Sequence, residues 1–66
     1  MRLYQAVDKL DGADSYWLVY PNGEVAVLYV RGLVAEDVRY SARYYARSKP
    51  ERFNDAINPV LVKEWV

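Results

Sequence analysis

Between Tyr16 and Val30 two apolar runs flank one turn signal, and this constrains the chain more than any other stretch. The first run is Tyr16-Trp17-Leu18-Val19-Tyr20 and the second is Glu24-Val25-Ala26-Val27-Leu28-Tyr29-Val30, with Pro21-Asn22-Gly23 between them. Aromatic and β-branched residues around a short Pro/Asn/Gly segment predict a β-hairpin. Pro presets φ at the first turn position, and Gly takes the left-handed position of a three-residue loop. That register sets Tyr20 opposite Glu24, Leu18 opposite Ala26 and Tyr16 opposite Leu28. Trp17, Val19, Val25, Val27 and Tyr29 then share the other face. Both faces are apolar, whereas a sheet with one wet face alternates apolar with polar. Either both faces are covered, or one of them is a binding surface.

The other elements are placed around this hairpin. Residues 2–9 alternate as a first strand, with Leu3, Gln5 and Val7 on one side and Tyr4, Ala6 and Asp8 on the other. Asp11-Gly12-Ala13-Asp14 reads as a turn. A helix is predicted over about 35–47, with Glu36 and Asp37 in its first turn, where carboxylates suit the helix dipole. At 100° per residue, Val38, Ala42, Tyr45 and Ala46 form its sheet-facing side. Arg39, Arg43 and Arg47 form a flanking stripe, and Tyr40 and Tyr44 lie on the far side. Ser48-Lys49-Pro50-Glu51 fits a capping box opening a short second helix over about 49–57. Asn58-Pro59 is expected to stop it before a last strand over 60–66. The expectation is a single α+β domain over residues 1–66: a small antiparallel sheet with its central hairpin at about 15–30, both helices packed on one face, and the order β-β-β-α-α-β.

Sixty-six residues bury a limited core, and the chain has no cysteine to add a disulfide. Ten aromatic rings, seven of them Tyr, can fill that core. They also favour a protein partner or a homodimer that takes up the excess. With neither His nor Cys, the usual general base, the best nucleophile and the common zinc ligands are missing. The three glycines are isolated, so no phosphate-cradling loop is present. No catalytic residue, metal or cofactor is expected. Asp8, Asp11 and Asp14 lack the spacing of a known calcium loop and read as a solvated turn. No apolar run reaches the length of a spanning helix, and the first residues lack the apolar core of a signal peptide. No membrane association is expected, and the absence of cysteine fits the cytoplasm.

Net charge is zero, but it is uneven. Between residues 31 and 52, Arg31, Arg39, Arg43, Arg47, Lys49 and Arg52 outnumber Glu36, Asp37 and Glu51. Tyr, Trp and Arg dominate binding hot spots. The leading expectation is therefore a small non-enzymatic interaction protein that docks Tyr40, Tyr44, Arg39, Arg43, Arg47, Trp17 and Tyr29 onto a protein partner. Such a chain would act as an inhibitor or modulator, and a phage or mobile-element origin would fit it. A second expectation is a nucleic-acid-binding domain using Arg31, Arg39, Arg43, Arg47, Lys49 and Arg52, although a neutral chain lacks the high pI of dedicated binders. A third is a structural homodimer with no other partner.

Overall fold

The computed structural model describes residues 1–66. Strands β1 (Arg2–Asp8), β2 (Asp14–Val19), β3 (Val25–Leu28) and β4 (Ala56–Glu64) form one antiparallel sheet in the order β3-β2-β1-β4. Helix α1 (Ala35–Ser41) runs on into a 3₁₀ turn (Ala42–Tyr44), and a second 3₁₀ segment (Pro50–Asp55) precedes β4. The α+β class and the β-β-β-α-α-β order are as expected. No helix is long and apolar enough to cross a membrane.

The hairpin register matches the sequence reading, with Tyr16 opposite Leu28 and Leu18 opposite Ala26. At the turn, Tyr20 N–H donates to the Glu24 carbonyl and Gly23 N–H donates to the Tyr20 carbonyl, both at 2.9 Å. Gly23 takes φ 89°, and a Cβ there would meet Pro50 Cγ at 3.3 Å. Gly23→Ala combines a left-handed L-residue with that close approach. It is expected to cost about 1–2 kcal/mol, read as a lowered urea midpoint at unchanged slope.

Each face of the sheet carries helical cover, supplied by a different element. Val38 and Ala42 of the helical stretch pack on Leu3, Leu18, Tyr20 and Ala26. On the opposite face, Phe53 packs with Trp17, Ala6 and Val25. Its ring meets Trp17 edge-on at 6.0 Å and Tyr4 at 5.1 Å. The two helical pieces therefore sandwich the sheet, where the sequence reading put both on one side. A chain this short has two apolar faces to bury and assigns one short cover to each.

The main helix ends earlier than predicted. The Ala42 carbonyl accepts both the Tyr20 hydroxyl and, at 3.4 Å, the Tyr45 N–H, a 3₁₀ bond in place of the next α-helical one. Tyr45 is already extended, and Ser48 pairs with Val25 through two backbone hydrogen bonds of 2.8 and 3.1 Å. That bridge covers part of the β3 edge, leaves Ala46 exposed and removes Arg47 from the helix. It also dissolves the capping box: Lys49 holds the cap position with no side-chain cap, and Pro50 opens the 3₁₀ segment.

The last strand begins at Ala56, before Asn58-Pro59 rather than after it. Asp55 carbonyl accepts from Lys9 N–H at 2.9 Å, which sets β4 antiparallel beside β1. Asn58, at φ 52°, and Pro59 sit where the pairing slips between Gln5 and Val7, and a second slip falls between Leu3 and Tyr4. Two bulges, one proline and Lys63 on an edge strand are devices that discourage further strand pairing.

Candidate interaction surface

Tyr40 and Tyr44 lie on the side of the helical stretch away from Val38 and Ala42, and each is 78 % exposed. They stand four residues apart, as do Arg39 and Arg43, so each pair is stacked one turn above the other. Arg43 lies 5.8 Å from the Tyr44 ring centre. Glu36, Arg39, Tyr40 and Arg43 line a cleft of about 350 Å³. Neither Arg39 nor Arg43 takes part in an ion pair. At the start of α1, Val34 gives no side-chain cap, and of the two first-turn carboxylates only Glu36 lines the cleft, without forming an ion pair.

The other residues singled out from sequence are placed elsewhere. Arg47 lies over the Tyr20 ring at 3.9 Å and reaches Glu24 at 3.5 Å, so it closes the hairpin end instead of extending the stripe. Burial raises the Tyr20 phenol above its ordinary pKa. Trp17 is completely buried and offers no contact surface. Its indole N–H donates to Ser15 Oγ at 2.8 Å, and Ser15 Oγ donates in turn to the Ala6 carbonyl at 3.1 Å. Arg31 is exposed in a separate cleft with Tyr29, and Lys49 is exposed beside the second 3₁₀ segment. The six basic residues therefore do not form one stripe.

Arg52 is the clearest correction. Its guanidinium grips the buried Asp8 carboxylate with both nitrogens, Nη2 at 2.7 Å and Nη1 at 3.2 Å. The same group reaches Asp55 at 3.1 Å and lies 4.7 Å over the Trp17 ring. The Tyr29 hydroxyl donates to the second Asp8 oxygen, and Leu10 N–H donates to the first at 3.0 Å. Arg52 holds the Asp8 carboxyl far below the usual carboxylate range, against the opposing effect of burial. The hydrogen bond to Asp8 pushes the Tyr29 phenol up. Tyr29 is thus half exposed but already engaged through its hydroxyl.

The sequence carried one clue to this network. Asp8 falls on the Tyr4 and Ala6 side of β1, and a carboxylate on an apolar face needs a buried partner. Asp11, by contrast, accepts from Ala13 N–H in a local turn, and Asp14 is exposed across the sheet from Asp8. The three carboxylates do not converge.

What the surface can do is bind. Two exposed phenol rings with two free guanidinium groups supply stacking area, hydrogen-bond donors and positive charge at one place. Comparison of the chain with protein-family models, with curated proteins and with solved structures found no match.

Proposed function

We propose that this chain is a non-enzymatic interaction domain that docks Tyr40, Tyr44, Arg39 and Arg43 onto an acidic surface of a protein partner. One observation carries the reading: two tyrosines, each 78 % exposed, stand beside two arginines that have no acidic partner in the chain. A tyrosine buried at an interface removes a large apolar area at low side-chain entropy, and arginine adds directed bonds to carboxylates. The strongly perturbed carboxylate, Asp8, is closed in by Arg52 and Tyr29 and serves the fold. By occupying a partner's surface the domain would modulate what else binds there.

The test is capture by the immobilised chain, with and without nuclease, compared with a Tyr40→Ala/Tyr44→Ala variant. The expected result is a protein held by the wild type after nuclease treatment and bound about 1,000-fold more weakly by the double variant, since hot-spot tyrosines cost about 2 kcal/mol or more each and every 1.4 kcal/mol is tenfold. Both side chains are exposed, so folding stability should stay within about 0.5 kcal/mol. Equal capture by the double variant would sink the reading. Loss of all captured material with nuclease, together with a linear log–log fall in binding with salt, would replace it with phosphate recognition by Arg39 and Arg43.

A further inference from the structure

The face of the sheet that carries α1 is only half covered, for a geometric reason. The seven residues of α1 and the three of its 3₁₀ continuation span about 16 Å, against about 23 Å for the seven residues of β1. Val38 and Ala42 cover the row Leu3, Leu18, Ala26. By register, the next row on the same face is Leu28, Tyr16, Gln5 and Val60, of which Leu28 and Tyr16 are half-buried against the same core while Gln5 and Val60 are exposed, and the one after it is Asp14, Val7 and Ile57. Val60 is 64 % exposed and Ile57 41 %. Two adjoining clefts, of about 490 and 250 Å³, share Gln5 and Asp14 as lining residues.

We propose that this open half-face binds a second copy of the chain in a two-fold dimer. Two features fit a copy of the same surface. Gln5, on a central strand with Tyr16 on one side and Val60 on the other, presents an amide. An amide is donor and acceptor at once, so two of them pair head to head about a two-fold axis, where a charged residue would repel its own copy. Asp14 and Arg31 line the same cleft with opposite charge, and neither has an ion-pair partner in the chain. In a two-fold contact, residue i meets j while j meets i, so each cleft offers the other both halves of two ion pairs. The copies meet through this face and not by extending the sheet, because the β4 edge is broken by bulges and Pro59. Two rows across strands about 4.8 Å apart make an interface smaller than the roughly 800 Å² per partner of standard complexes, so the association expected is micromolar.

The test is sedimentation of the 7.7 kDa chain across the micromolar range. The wild type should reach twice the monomer mass. Val60→Lys should weaken the dimer by about tenfold or more with an unchanged circular dichroism spectrum, since the site is exposed and the added charge would be buried at the contact. Asp14→Arg should also weaken it, and combining that change with Arg31→Asp should restore it. Tyr40→Ala/Tyr44→Ala should leave it intact, which separates this contact from the docking patch on α1. A wild type that stays monomeric up to millimolar concentration would overturn the proposal. So would a dimer that neither Val60→Lys nor Asp14→Arg weakens.

Discussion

Arg52→Ala is expected to destabilise the fold by about 3–5 kcal/mol, measured by urea unfolding at neutral pH. The size follows from what is left behind. Asp8 is completely buried and would keep its charge without the guanidinium that compensates it. The second 3₁₀ segment would also lose the cation stacked on Trp17. A domain of this length has only about 3–10 kcal/mol in total, so a substantial unfolded population is expected. Removing the stranded charge should help: Asp8→Asn in the Arg52→Ala background is expected to recover part of the loss, because a buried amide costs less than a buried unpaired carboxylate. Arg52→Lys should fall between wild type and Arg52→Ala, since an ammonium keeps the charge but not the two-pronged grip.

The same pair predicts a pH dependence with a definite sign. In the wild type the Asp8 carboxyl titrates below its unfolded value of 3.8, so its ionised form favours the native state. That contribution is fully present above about pH 4 and is lost as the pH falls through the acid range. In Arg52→Ala, burial without a partner favours the protonated acid, so the Asp8 contribution should change sign and stability should rise on acidification toward about pH 4. Parallel pH profiles in the two proteins would show that the ion pair is not what holds Asp8 in place.

Trp17→Ala is the second large effect, expected at about 3–5 kcal/mol. Trp17 is the largest completely buried side chain, and its removal takes away the ring on which Phe53 and Arg52 pack. It also leaves Ser15 Oγ without its donor. The emission of Trp65, the one other tryptophan, remains as a reporter of unfolding. Against it, Tyr40→Ala and Tyr44→Ala remove rings of similar class at almost no cost to the fold. Comparing the three separates core aromatics from surface aromatics directly. A Trp17→Ala variant as stable as Tyr40→Ala would contradict the sandwich of the sheet between α1 and the Phe53 segment.

Much of the architecture was legible because its signals are local. Pro21-Asn22-Gly23 and the alternation on either side of it set the hairpin register to the residue. The spacing of Val38 and Ala42 marked the buried side of α1, and the alternation of β1 separated Leu3 from Tyr4. The helix end was not legible, because it is held by partners from distant strands: the Tyr20 hydroxyl on the Ala42 carbonyl, 22 residues away, and the Val25 backbone on Ser48. Nor was the reach of β4, since Asn58-Pro59 reads locally as a stop while pairing with β1 absorbs it as a bulge.

The candidate site divides in the same way. The sequence by itself determined that the chain would be a small antiparallel sheet with helical cover, two apolar faces and a surplus of Tyr and Arg in its middle. It also put Tyr40 and Tyr44 on the far side of the helical stretch and Arg39 and Arg43 on its flank, since helical spacing alone decides that. Only the tertiary structure decided that Trp17 is core and that Arg52, a basic residue like any other in the sequence, is bound to Asp8 across 44 positions of chain. The physical reason is that turn chemistry and residue period act over a few neighbours. Burial and charge pairing depend on which distant segment arrives to cover the site, and in this chain two short segments had to share two faces.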